Sequence, residues 1–200
     1  MKFRHLLTIA AVAAGLSLLA GRAPRVDAQG SDAQTYRIDP VHSTAIFRVH
    51  HLGAGQFYGR FNDVTGTIKY SDGSDSGPVL NVSIAVESVD TNSDRLNGHL
   101  KSPDFFNARE YPAITFKSKS AMKIKDKMYL VTGELTIHGV TQTVTVETEW
   151  TGTKAGSKGT RCGFEAIFTI KRSDFGMKYG LNGMLGDETK LIVAIEGAKQ

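Results

Sequence analysis

Tyr129-Leu130-Val131-Thr132-Gly133-Glu134-Leu135-Thr136-Ile137 is the stretch that decides the fold. Tyr129, Val131, Gly133, Leu135 and Ile137 recur at every second position, the period of an extended chain whose successive side chains point to opposite faces. A helix would need apolar residues three and four apart instead. His138-Gly139-Val140 then turns the chain, and Val144, Val146, Thr148 and Trp150 alternate in the same way on the far side. Two such runs joined by so short a turn read as an antiparallel hairpin.

Working outward, the pattern repeats. Phe47 and Val49 alternate with Arg48 and His50, and Phe57, Gly59 and Phe61 follow a Gly53/Gly55 turn. Val64, Gly66 and Ile68 continue the alternation up to a turn cluster over residues 71–78. Val82, Ile84 and Val86 come next, and then Ile114 and Phe116. Cys162, Phe164, Ala166, Phe168 and Ile170, followed by Leu191, Val193 and Ile195, complete the set. About eight to ten strands with polar turns imply an all-β sandwich or barrel rather than a parallel βαβ sheet. Closure into an antiparallel β-barrel removes the two long edges that a flat sheet of this size would expose.

One segment departs from period two. Thr91 to Lys101 offers Asn92 or Ser93 as a cap, an acid in the first turn and a lysine at the end, the marks of a short helix. Leu96 and Leu100 lie four apart, as do Arg95 and His99 on the neighbouring face. Ser102-Pro103-Asp104 reads as the start of a second helical piece leading into Phe105-Phe106, with Tyr111-Pro112 as its stop. The expectation is a two-piece helical insertion lying against the barrel.

The chain has 200 residues, 40% hydrophobic and 22% charged, with one cysteine, Cys162. That composition is globular, and a lone cysteine excludes an internal disulfide framework and a Cys-rich metal site. Residues 1–28 read as a secretory signal peptide: Lys2 and Arg4, an uncharged run from Leu6 to Ala20, and Val26-Asp27-Ala28 as an A-x-A-like cleavage site, with Ala20 as a second candidate. The run is short for a membrane span, which needs about 20 apolar residues. Residues 29–34 read as a linker and 35–200 as one domain, placed in the periplasm after cleavage, with no stable membrane span and a homodimer among the allowed states. Losing the leader removes four of 24 basic and one of 20 acidic residues, so the formal charge falls from +4 to +1. No basic run remains to track a nucleic acid.

Chemistry-bearing motifs are sparse. The chain lacks G-x-S-x-G, H-E-x-x-H, Walker A and G-x-G-x-x-G patterns. Asp39, His42 and Ser43 contain the residue types of a hydrolase triad, but three near neighbours on one loop do not easily take its geometry. They read instead as hydrogen-bonded turn chemistry at a barrel end. His50 and His51 point to opposite faces of a strand, so one ion cannot take both. No metal site and no catalytic residue is expected. The aromatic residues, 10 Phe, 6 Tyr and one Trp, either fill the barrel or line a tunnel. Periodicity names the apolar face without saying whether it is hollow, and a generic barrel of this size favours the filled core.

The order of several motifs resembles the YceI family. Tyr36 to Ser43 (YRIDPVHS) is similar to its opening I-D-x-x-H-S signature, with Tyr36 where the family commonly has Trp. Asn92 to Leu100 with Ser102-x-Asp104-Phe105-Phe106 resembles its helical segment. Gly133-x-Leu135-Thr136-Ile137-x-Gly139-Val140-Thr141 resembles a central strand, and Arg172-Ser173-Asp174-Phe175-Gly176-Met177 its R-x-D-F-G-M element. The resemblance runs from about Tyr36 to the C-terminus.

It implies a lipocalin-like, extended antiparallel barrel that holds an isoprenoid or other long-chain lipid in an interior tunnel, without chemistry. The expected lining is Phe47, Val49, Phe61, Leu96, Leu100, Phe105, Phe106, Phe116, Leu135, Ile137, Phe168, Ile170 and Phe175. Arg95, His99, Asp104 and Arg172 are candidates to contact a polar head group, or equally to pin the helix to the barrel. No cofactor is expected beyond a bound isoprenoid or fatty-acyl lipid. Two rivals stand beside this reading. One is an enzyme using that polar cluster, and the other is a filled-core stress-response barrel with protein partners.

Overall fold

The computed structural model describes residues 32–200, so the expected leader and the first half of the expected linker, residues 29–31, lie outside the described residues. The strands are β1 (Gln34–Ile38), β2 (Thr44–His51), β3 (Gly55–Phe61), β4 (Val64–Tyr70), β5 (Val79–Ala85) and the short β6 (Val89–Asp90). After the helix α1 (Asp94–Lys101) come β7 (Ala113–Lys125), β8 (Met128–Ile137), β9 (Val140–Gly156), β10 (Gly159–Lys171) and β11 (Leu185–Lys199). All pairings are antiparallel.

The sheet closes through β11. Its first residues pair with β2 and its last with β1, so β1 and β2 act as one wall interrupted at 39–43. β3 and β4 form the next wall in the same way, since β4 pairs with β1 and β3 with β2. β5 with β6 forms a third wall, and β7 to β11 supply five more. The result is a closed eight-walled antiparallel barrel, the size at which the interior holds side chains or one small ligand. Asp39, His42 and Ser43 organise the interruption. The Ser43 hydroxyl accepts from the Glu196 N–H (3.0 Å) and donates to the Glu196 carbonyl (3.4 Å), tying it to β11.

Alternation sets which face is inside. On β8, Tyr129, Val131, Leu135 and Ile137 are buried. Its turn, His138-Gly139, puts both residues at positive φ (51° and 74°), the two-residue geometry that matches strand twist. Gly59 on β3 faces inward, where a Cβ would run into the Phe47 ring, so this glycine is what lets Phe47 lie across the neighbouring strand.

The closure has a gap. β6 pairs only with β3, whereas β5 continues to β7. Residues 91–112 cover the space left at that end of the barrel. Ser93 caps α1, its hydroxyl accepting from the Leu96 N–H (3.4 Å), and Leu100 is the helix's buried residue. The expected second helical piece does not form. Ser102 leaves the helix in an extended conformation, and the chain folds back over the helix end in consecutive turns. The Phe106 and Ala108 N–H groups donate to the carbonyls of Leu100 and Lys101. These are carbonyls that a helix terminus leaves without intrahelical partners, so capping them with the returning chain replaces a second helix.

Candidate functional site

The barrel is hollow and sealed at one end. The floor is an aromatic plug under the 71–78 loop. Tyr70 donates to the Tyr129 hydroxyl (2.8 Å) and accepts from the Gly73 N–H (3.0 Å), while Tyr129 donates to the Ser74 carbonyl (3.0 Å). Phe164 meets Tyr70 edge-on with centroids 5.1 Å apart, and Trp150 tilts against it at 5.5 Å. Burial pushes the Tyr70 phenol well above its ordinary pKa. Cys162, fully buried beside this plug, has its thiol pushed up to about 11 by burial, so it stays a protonated small hydrophobe and not a nucleophile.

Above the floor lies a cavity of about 160 Å³, and the space between atoms from there through the open mouth comes to about 1310 Å³. The first figure suits a small apolar guest in a dry chamber. The second includes open solvent at the mouth, so a guest longer than the chamber extends into that mouth.

Eleven of the residues expected to line a tunnel do so: Phe47, Val49, Phe61, Leu100, Phe105, Phe106, Phe116, Leu135, Ile137, Phe168 and Ile170. Leu96 and Phe175 do not. Leu96 packs half-buried against the core, and Phe175 is fully buried in the 3-10 turn Arg172–Phe175, behind the wall and not on it. The expected list omits further lining residues, among them Leu80, Val82 and Ile84 on β5, Val146 and Thr148 on β9, and Leu191, Val193 and Ile195 on β11. The same alternation that marks their strands carries that signal.

The polar residues do not assemble into one cluster. Arg95 projects into solvent. His99 Nε2 lies 3.0 Å from Asp104 Oδ2, and its ring sits edge-on between Phe105 and Tyr179, both at 5.0 Å. Neither His99 nor Asp104 lines the cavity. Arg172 is 5% exposed and makes four hydrogen bonds. It donates to the carbonyls of Gly186 (2.8 Å), Tyr179 (2.7 Å), Leu185 (3.2 Å) and Met177 (3.4 Å), so it pins the 176–186 loop to the barrel while lining the cavity, with four of its five N–H donors held by backbone.

Asp187 completes that pin, accepting from the Ser173 N–H (2.9 Å) and hydroxyl (2.7 Å). Burial pushes its carboxyl up, but these hydrogen bonds and the Arg172 and Lys171 charges outweigh burial and hold it below the usual carboxylate value. A carboxyl depressed in the folded state contributes stability above its unfolded pKa, and that contribution disappears as pH falls through the folded one. Thermal melts of the native protein and Asp187→Asn should therefore differ by a constant margin above about pH 5 and converge below about pH 4. A margin that persists in acid would contradict this role.

Among the described residues, one group of metal-ligand type converges, Asp39, His42 and Glu196, and it lies on the outer surface. His42 Nδ1 is 3.1 Å from Asp39, Val41 N–H donates to the same carboxylate, and Arg161 pairs with Glu196 at 3.3 Å. The hydrogen bond with His42 and the Val41 N–H hold the Asp39 carboxyl below its usual value. Ser43 is turned to Glu196 backbone and away from His42, so no triad forms.

A family model described as a YceI-like domain matches residues 36–197, nearly the whole barrel. The chain belongs to the YceI family. It is 40% identical over 171 residues to Protein YceI of Escherichia coli O6:H1 (strain CFT073), covering 84% of this chain and 88% of that relative. A UPF0312 protein of Pseudomonas aeruginosa (strain LESB58) is 37% identical over 197 residues, covering 96% and 98%. The barrel also superposes, with a TM-score of 0.65, on a polyisoprenoid binding domain from Saccharophagus degradans implicated in plant cell wall breakdown. That domain is 17% identical, with 84% of this chain and 99% of the other covered. The YceI barrel is thus shared. Residues 172–177 (RSDFGM) form a tight element after β10. In this chain that element supplies Arg172 of the loop pin.

Proposed function

We propose that this protein is an exported carrier or store that holds one long-chain, uncharged lipid of isoprenoid type in its bore and does no chemistry on it. The observation that carries the reading is the bore itself: hollow, closed below by Tyr70 and Tyr129, and walled almost wholly by aliphatic and aromatic side chains. An isoprenoid tail offers no hydrogen-bonding groups, so such walls meet all its needs. Each buried methylene contributes about 0.8 kcal/mol. The polyisoprenoid binding described for the Saccharophagus domain supports the ligand class.

Acid–base catalysis on a lipid would need a titratable group facing the reacting atoms. The His99–Asp104 pair lies outside the lining, and the Arg172 guanidinium is held by backbone carbonyls, which favours the carrier over the enzyme. Export to the periplasm follows from the leader read in residues 1–28. The Pseudomonas relative aligns over 96% of this chain, so most of that segment has a counterpart there. No helix of the described residues is long and apolar enough to cross a membrane.

The test is uptake. Solvent-extracted protein should bind an added isoprenoid quinone or a fatty acyl amide with saturation near one per chain. Failure to bind either would remove the proposal.

Phe106 is the expected gate. It is half-buried at the mouth and meets Phe61 edge-on at 5.3 Å and Phe47 at 6.5 Å. Phe106→Ala should speed both uptake and release of lipid, read by stopped-flow fluorescence, at a stability cost of about 2 kcal/mol, below that of a fully buried aromatic. Unchanged rates would place the gate elsewhere.

A further inference from the structure

We infer that the lipid enters head first, and that the Thr148 hydroxyl at the floor of the bore binds one uncharged oxygen, a carbonyl or hydroxyl, at its leading end. This inference rests on the carrier reading and adds an orientation and a ligand chemistry to it.

Thr148 belongs to the alternating set of β9, between Val146 and Trp150 on the inner face, where every neighbour in register is apolar or aromatic. Tyr129 lies opposite it on β8 and Ala166 on β10. It is 2% exposed and lines the cavity. Its hydroxyl is the one buried side-chain polar atom among the described residues with no hydrogen-bond partner. Every other polar atom near the floor is engaged: Tyr70 with Tyr129, Tyr129 with Ser74, Trp150 with Thr153, and Thr153 with Asp72. A plug this completely paired, with one orphan hydroxyl at its cavity side, is the pattern of a site awaiting a partner.

The partner's class follows from what else lines the bore. The charged residues lining it are Arg172, with four of its five N–H donors held by carbonyls, and the acidic Glu165, so a carboxylate or phosphate drawn down the bore would meet little compensating charge in an apolar medium. A hydroxyl both donates and accepts, so it suits a neutral carbonyl or hydroxyl oxygen. Arg95 is exposed and the His99–Asp104 pair lies outside the lining, so neither offers a head group a competing site along the bore.

The test compares dodecan-1-ol with dodecane, both competing with the neutral dye N-phenyl-1-naphthylamine for solvent-extracted protein. The quantity read is the ratio of the two affinities in the native protein against the ratio in Thr148→Val, which cancels their different solubilities. The ratio should fall about tenfold in Thr148→Val and recover in Thr148→Ser, while dodecane affinity is kept. Thr148→Val should also raise the melting temperature of the extracted protein, because it removes an unpaired polar atom. A purely structural hydroxyl would shift the melting temperature the other way. An unchanged ratio with both probes bound, or a lowered melting temperature, overturns the orientation and leaves the carrier intact. Displacement by neither probe in the native protein overturns the carrier reading, and this inference with it.

Discussion

Leu135→Arg is expected to leave no cooperatively folded protein. Leu135 is 5% exposed, sits on β8 two residues before its end and lines the bore. Truncating a buried leucine alone costs about 2–5 kcal/mol. An arginine adds a charge against walls that are almost wholly aliphatic and aromatic, and an uncompensated buried charge costs several kcal/mol more. Together these match or exceed the roughly 5–15 kcal/mol that hold a typical domain together. The check is far-UV circular dichroism with a thermal melt. A folded, lipid-loaded Leu135→Arg would mean that the face taken as inner is wrong.

Arg172→Ala should be the next most damaging change, with an expected loss of about 3–5 kcal/mol. It removes four hydrogen bonds from a charged donor, typically worth about 1.5–3 kcal/mol each before relaxation. It also strands the carbonyls of Met177, Tyr179, Leu185 and Gly186 and takes away the cation facing Asp187. Arg172→Lys should recover only part of this, because one ammonium cannot reproduce the guanidinium fork. Because Leu185 and Met177 line the bore, the loosened loop should also weaken lipid retention. Chemical denaturation of the three proteins measures the first effect. A native midpoint in Arg172→Ala would show that the loop holds without its pin.

The barrel was legible because period two is a local property. Phe47, Phe61, Leu135 and Ile170 each announce their face through neighbours two residues away. The closure was not, because it depends on β11 pairing with both β1 and β2, and register between distant strands leaves no local mark. The turn chain after α1 was misread for a related reason. Pro103 does follow a serine, as at a helix start, but the carbonyls of Leu100 and Lys101 compete for the same backbone N–H groups. The polar cluster shows the same limit. Spacing of four residues puts Arg95 and His99 on one side of a helix without saying that this side meets the bore. Arg172 is bound by backbone carbonyls, which no side-chain pattern announces. Thr148 stood in plain view within an apolar alternation, and only its lack of a partner gives it meaning.

The claim that the bore carries a lipid is tested most directly by purifying the native protein under mild conditions, extracting it with organic solvent and identifying the extract by mass spectrometry. The account predicts about one uncharged, long-chain lipid per chain, absent from an equally treated Phe168→Arg protein. An extract without lipid, from protein that also refuses added isoprenoid quinone, would contradict it.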